Sequence, residues 1–161
     1  MTLQSLKGFI DRNGRKEHDV RWNRDVVRLP GHFFVLSKNE FKNFRDLPLL
    51  EKYNDDLKRM EPSINWCADQ ANKDPQSRRL LALNTDDYTH IFQCFNLVQF
   101  INTKDRNYDM YVYQRSQDLA KWADDIRCFL QVVDMFEVST LAKVTKIVVI
   151  YGDIHYSTTE E

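Results

Sequence analysis

Cys94 sits in an apolar run, Ile91-Phe92-Gln93-Cys94-Phe95, between two arginine-bearing segments. A thiol attacks as its thiolate, and cationic neighbours hold it in that form. Arg78-Arg79 and Arg115 supply such cations, and guanidinium groups also fit phosphate, whose oxygens accept paired hydrogen bonds. Gln114-Arg115-Ser116-Gln117-Asp118 places polar side chains in a row between two apolar segments, and His155 follows the apolar run 147–150 in a Gly-Asp-x-His context. Each group also has a plain structural use. Cys94 can be a small core residue, the arginines surface charge, Ser116 or Asp118 a helix N-cap, and His155 a hydrogen-bonding side chain. No P-loop, dinucleotide-binding fingerprint or Ser/His/Asp order is present, and Cys67, Cys94 and Cys128 make no metal-ligand spacing.

The elements that must position these groups follow from periodicity. HFFVL (32–36), RLLAL (79–83), HIFQCFNLVQFI (90–101), YDMYVYQR (108–115) and KIVVIY (146–151) read as strands, the third and fourth joined as a hairpin by NTKDRN. Leu50, Tyr53, Leu57 and Met60 have helical spacing that Pro62 is expected to end or restart, with a second short helix through Ile64, Cys67, Ala68 and Ala71. Residues 118–137 give the longest helical stripe: Leu119, Trp122, Ile126, Phe129, Leu130, Val133 and Phe136. Residues 8–28 are polar and basic, readable as a solvated surface segment or as a phosphate-contacting arm. The order gives an α+β fold with a mostly antiparallel sheet beside one long buried helix, in a single domain over 1–161.

Composition limits the setting. The 161 residues are 42% hydrophobic and 29% charged, enough for one real core. Lys+Arg at 23 against Asp+Glu at 24 leaves a net charge of -1, so nothing draws the whole chain to nucleic acid or a membrane. Unpaired thiols and the lack of an apolar leader or spanning segment lead to the expectation of a cytoplasmic protein.

Four segments, in order, resemble thymidylate synthase and its relatives, the pyrimidine-nucleotide hydroxymethylases. Asp74-Pro75-Gln76-Ser77-Arg78-Arg79 is similar to the family's DPxSRR segment. Cys94 with Gln99-Phe100 is similar to PCHxxxQF, Tyr113-Gln114-Arg115-Ser116-Gln117-Asp118 to YQRSxD, and Gly152-Asp153-Ile154-His155 to GDxHxY. The likeness spans about residues 70–157; the region 1–69 is abbreviated and does not align. It implies a thymidylate synthase-like fold and a homodimer in which Arg78 and Arg79 reach the nucleotide phosphate of the partner subunit. It further implies that Arg115 and Ser116 bind phosphate, that Gln114 and His155 bind substrate, and that Asp118 serves the pyrimidine and folate side. Cys94 would be the nucleophile, adding to C6 of a dUMP- or dCMP-type pyrimidine nucleoside monophosphate. The one-carbon unit for C5 would come from 5,10-methylenetetrahydrofolate, as methyl with a hydride or hydroxymethyl with water. No metal is implied.

The departures bear on what survives. Phe95 and Gln93 replace the His and Pro that flank the family's nucleophile, and Ser157 stands where the sugar-binding Tyr belongs. The family's folate-closing C-terminal segment has no counterpart, and Ala120-Lys121-Trp122-Ala123-Asp124-Asp125 replaces its Gly-Leu-Pro-Phe-Asn stretch. If that stretch is one residue shorter here, Asp125 takes the base-reading position, as in cytidylate hydroxymethylases; otherwise the position is Ile126. The first reading is therefore a nucleotide C5 methyl- or hydroxymethyltransferase. The alternative is a non-catalytic relative that binds nucleotide or another protein.

Overall fold

The computed structural model describes residues 2–87, 90–91 and 95–159. Its helices are α1 (Leu3–Asn13), α2 (Lys42–Arg45), α3 (Asn54–Lys73) and α4 (Trp122–Val138). Its strands are β1 (Arg15–Asp19), β2 (Arg24–Pro30), β3 (Phe33–Ser37), β4 (Leu81–Leu83), β5 (Thr85–Asp87), β6 (His90–Ile91), β7 (Phe95–Lys104), β8 (Asn107–Asp118) and β9 (Lys143–Ser157). The fold is α+β, as the sequence implies.

A seven-stranded sheet runs in the order β1-β2-β9-β8-β7-β4, with β3 also on β9; β5 and β6 form a separate pair. Strand β9 is long enough to take two partners along one edge: β3 against residues 146–150 and β2 against 153–157. Every ladder is antiparallel except β8 with β9, and α4 makes the crossover that a parallel pair requires. The β7–β8 hairpin forms as expected, turning through Asp105 at φ 54°. The middle of the strand expected over 90–101 lies outside the described residues.

Two glycines shape the β2–β3–β9 edge. Gly31 turns the chain from β2 to β3 at φ 68°, and its N–H donates to the Gly152 carbonyl at 3.0 Å. At Gly152 a Cβ would lie 2.5 Å from the Arg115 carbonyl oxygen, so only glycine lets β8 approach β9 there.

One face of the sheet is the core. Phe34, Leu36, Val98, Phe100, Met110, Val112, Ile147 and Val149 alternate onto it and meet the apolar stripes of α3 and α4. Phe100 stacks on Phe136 at 4.0 Å between ring centres, and Phe34 and Phe44 meet Trp122 edge-on. On the opposite face, at the β2–β9 end, α1 lies against both strands with Leu6 and Ile10 buried.

One expectation changes and another gains detail. Pro62 does not break the helix: α3 runs through it for 20 residues. Pro62 and Lys58, whose carbonyl loses its partner, both face solvent, where water satisfies that group. Burial of Met60, Ile64, Cys67, Ala68 and Ala71 carries the helix across the defect. The 8–28 segment is mostly exposed, as its surface reading expects, but it is folded. Leu6 and Ile10 give α1 its stripe, and the residues after Gly14 form the β1–β2 hairpin.

Candidate functional site

Strands β8 and β9 end together beyond the N-terminus of α4, and a cavity of about 330 Å³ lies there. It is lined by Trp22, Arg24, Lys52, Tyr53, Phe95, Gln114, Ser116, Asp118, Lys121, Asp125 and His155. That volume falls at the small end of small-molecule sites.

Five residues singled out from sequence meet in this cavity: Gln114, Ser116, Asp118, Asp125 and His155. Alternation along β8 turns Gln114 and Ser116 to the same side. Asp118 does two things. Its carboxylate accepts from the Ala120 N–H at 3.0 Å, capping the 3₁₀ turn Leu119–Lys121, and it pairs with Arg24 at 3.8 Å. Asp125, in the first turn of α4, lines the cavity, and Ile126 is in the core.

Asp125 is held from three sides. Its Oδ1 accepts from the Tyr53 hydroxyl, and its Oδ2 accepts from Gln114 Nε2 at 3.1 Å and Gln117 Nε2 at 2.8 Å. Burial, and then the adjacent carboxylate, push the Tyr53 phenol far above its ordinary range, so it stays a donor. Gln114 Oε1 is buried with no partner among the described residues.

His155 is oriented by its neighbours. Arg24 Nη2 lies 3.3 Å from His155 Nε2, and a guanidinium only donates, so Nε2 is the acceptor. The other nitrogen, Nδ1, then donates to Asp153 Oδ1 at 2.8 Å. Burial raises the Asp153 carboxyl, but the contacts with His155, Arg28 and Ser116 outweigh it and hold the group below the usual carboxylate range.

The other predicted residues lie elsewhere. Cys94 lies outside the described residues; Phe95, the next in sequence, forms part of the cavity wall and packs edge-on against Phe129. Arg115 is exposed, and alternation puts it on the side of β8 away from Gln114 and Ser116, so it is not among the described lining residues. Arg78 and Arg79 are also exposed; Arg78 borders a separate depression with Ser77, Gln99 and Asn102. The resemblance implies phosphate binding by Arg115 with Ser116, and β8 turns these two side chains to opposite sides.

Sequence reading did not place Trp22, Arg24, Lys52, Tyr53 or Lys121 in a site. Arg24 was visible only as one of several basic residues in 8–28, and Tyr53 only as a member of a helical stripe. The β1–β2 hairpin brings Trp22 and Arg24 to the cavity, Arg24 beside His155, while Lys52, Tyr53 and Lys121 come from the turns before α3 and α4. Among the described residues, no group of three or more His, Cys, Asp or Glu could hold a metal ion, and no helix is long and apolar enough to cross a membrane. No protein-family model matches the chain, and no curated protein matches it.

Proposed function

We propose that this cavity binds a pyrimidine nucleoside monophosphate and serves transfer of a one-carbon unit to C5 of the base, with Cys94 as nucleophile. The observation that carries the reading is convergence. Gln114, Ser116, Asp118, Asp125 and His155 come from two resembling motifs and one contested loop, and they line one cavity. Asp125 and Gln114 would hold the base, and His155 the sugar.

Addition of the Cys94 thiolate to C6 would place an electron pair on C5. C5 would then bond the one-carbon unit and lose its proton, and the unit's bond to its carrier nitrogen would break, leaving an exocyclic methylene on C5. Hydride from the carrier, giving methyl, or water, giving hydroxymethyl with loss of a proton, would add to that methylene as the thiolate leaves C6 and the 5,6 double bond is restored. The cations Arg24, Lys52 and Lys121 against Asp118 and Asp125 give the described lining a small positive excess, suited to an anionic ligand.

A reduced folate suits the mouth of the cavity better than its interior. Trp22 is 63% exposed at the rim and offers a flat face, with Lys52 and Lys121 beside the opening for an anionic tail. When bound, methylenetetrahydrofolate would supply the one-carbon unit.

The open sheet face supports a homodimer. Phe33, Val35, Ile150, Tyr113, Leu81, Leu83 and Ile101 are each at least 38% exposed on it. Arg115 shares that face, so a second copy stacked there brings its arginines toward this subunit.

The test is release of C5 tritium from labelled dUMP and dCMP, which needs thiol addition but not complete transfer. Wild type should release tritium and Cys94→Ser should not. Nucleotide binding without release would favour the non-catalytic alternative. Calorimetry showing no affinity for either nucleotide would remove the nucleotide reading.

A further inference from the structure

We infer that Tyr53 is a positioning residue for base choice: it fixes the Asp125 carboxylate as an acceptor for the exocyclic amine of a cytosine-type base. The inference rests on the nucleotide reading above and deepens it.

Tyr53 ends the 3₁₀ turn Glu51–Tyr53 that leads into α3, so its hydrogen bond to Asp125 ties the start of α3 to the start of α4. The side chain is 3% exposed, and its phenol is held protonated, so it can only present a donor to the carboxylate. On the other oxygen, Gln117 Nε2 donates at 2.8 Å while also donating to the Asp118 carbonyl at 2.8 Å, which commits both its hydrogens. Gln114 Nε2 is shared among Asp125, Gln117 Oε1 and the Ser116 carbonyl.

An ionised carboxylate offers about four acceptor positions. Three protein donors occupy three of them and leave one for a ligand. A group in that state selects a ligand donor and disfavours a ligand carbonyl, because an oxygen placed against it leaves two acceptors facing each other. Where that acceptor meets the substituent at C4 of the base, a 4-amino group satisfies it and a 4-keto oxygen does not. Without the Tyr53 hydroxyl, Asp125 Oδ1 regains an open position and the carboxylate can turn, which relaxes the discrimination.

The experiment measures the ratio of dCMP to dUMP affinity by calorimetry for wild type, Y53F, D125A and the double variant. Wild type should prefer dCMP, and Y53F should reduce the preference about tenfold, the factor expected for one hydrogen bond to a charged group. In the D125A background, Y53F should leave the ratio unchanged, because Tyr53 acts through Asp125; a merely structural role would not depend on that background. If Y53F loses the native circular dichroism spectrum, Q117A, which removes a donor from Oδ2, is read in its place with the same expectation. Wild type that binds neither nucleotide overturns the nucleotide reading and this inference together. Wild type that binds both without preference, or that prefers dCMP while the variant keeps the full preference, overturns the Tyr53 role alone.

Discussion

The Cys67 and Cys128 side chains are buried in the core, and burial pushes the Cys67 thiol up to about 12. Cys128 is raised further, first by burial and then by the Asp125 and Asp56 carboxylates. At neutral pH a thiol with such a pKa is roughly one part in 10⁵ thiolate, so neither residue competes as a nucleophile. Iodoacetamide at pH 7 should therefore modify Cys94 first, and dCMP or dUMP should slow that reaction. Peptide mapping that finds Cys67 or Cys128 labelled ahead of Cys94 in the folded protein would remove Cys94 from its role. Asp153 gives a second expectation. Its folded pKa is depressed, so its contribution to stability is present above the unfolded value of about 3.9 and is lost as pH falls through the folded value. Asp153→Asn should cost roughly 1.5–3 kcal/mol at pH 6, and the gap from wild type should begin to close only below about pH 4. Urea midpoints across that range read the effect directly. Gln114, Ser116, Asp118 and His155, which the resemblance groups as site residues, line one cavity, although their types alone also fitted caps and structural hydrogen bonds. The side of β8 that Arg115 faces was not legible, because a residue type does not say which side of a strand it faces; only register does.

At the scale of elements, two glycines and one proline test how the backbone is arranged. Gly152→Ala places a methyl 2.5 Å from a backbone oxygen of the neighbouring strand, and backbone cannot turn aside as a flexible side chain would. The cost should reach at least about 3 kcal/mol, the upper end of overpacking penalties. Gly31→Ala meets no atom within 4 Å and suffers only the left-handed backbone conformation, which costs about 1 kcal/mol. Chemical denaturation should rank the two in that order; the reverse ranking would show that β8 and β9 do not approach as described. Pro62→Ala should stabilise the protein by about 2 kcal/mol. It restores the hydrogen bond to the Lys58 carbonyl, and the looser unfolded chain offsets part of the gain. The same residues explain what was legible here. Period-two and period-3.6 patterns revealed the strands β3, β7, β8 and β9 and the helix α4. Pro62 read as a break because local propensity says so, whereas tertiary burial of the stripe on both sides decides the outcome. Helix α1 and the β1–β2 hairpin were hidden because their apolar residues are few and the charged ones dominate the composition.

At the scale of the whole molecule, the two faces of the sheet differ in how they meet solvent. The core face is covered by α3 and α4, while the other carries Phe33, Val35, Tyr113, Leu81 and Leu83 outward. Cross-strand pairing arranges these in rows: Leu83–Leu97–Tyr113–Ile150–Phe33, and beside it Leu81–Gln99–Tyr111–Val148–Val35. An apolar band five strands wide on an exposed sheet is a surface that association would bury. The arginines expected to hold phosphate are on or beside this open side: Arg115 shares the face, and Arg78 borders a depression with Gln99 and Ile101. A cavity that needs those arginines from a second copy should therefore bind nucleotide only as well as the dimer holds. Phe33→Glu tests this at a position that is 60% exposed and not among the described cavity residues. A carboxylate facing its own symmetry mate across an apolar interface should shift the protein to monomer in sedimentation velocity, with the fold intact by circular dichroism. If arginines of the partner complete the phosphate site, Phe33→Glu should weaken dCMP binding by about as much as Arg78→Ala with Arg79→Ala does, roughly tenfold or more. Combining all three changes should then cost little beyond either, because both routes remove the same contacts. A monomeric Phe33→Glu protein that binds dCMP as tightly as wild type would show that each cavity is complete within its own subunit, with Arg24, Lys52 and Lys121 as its cations.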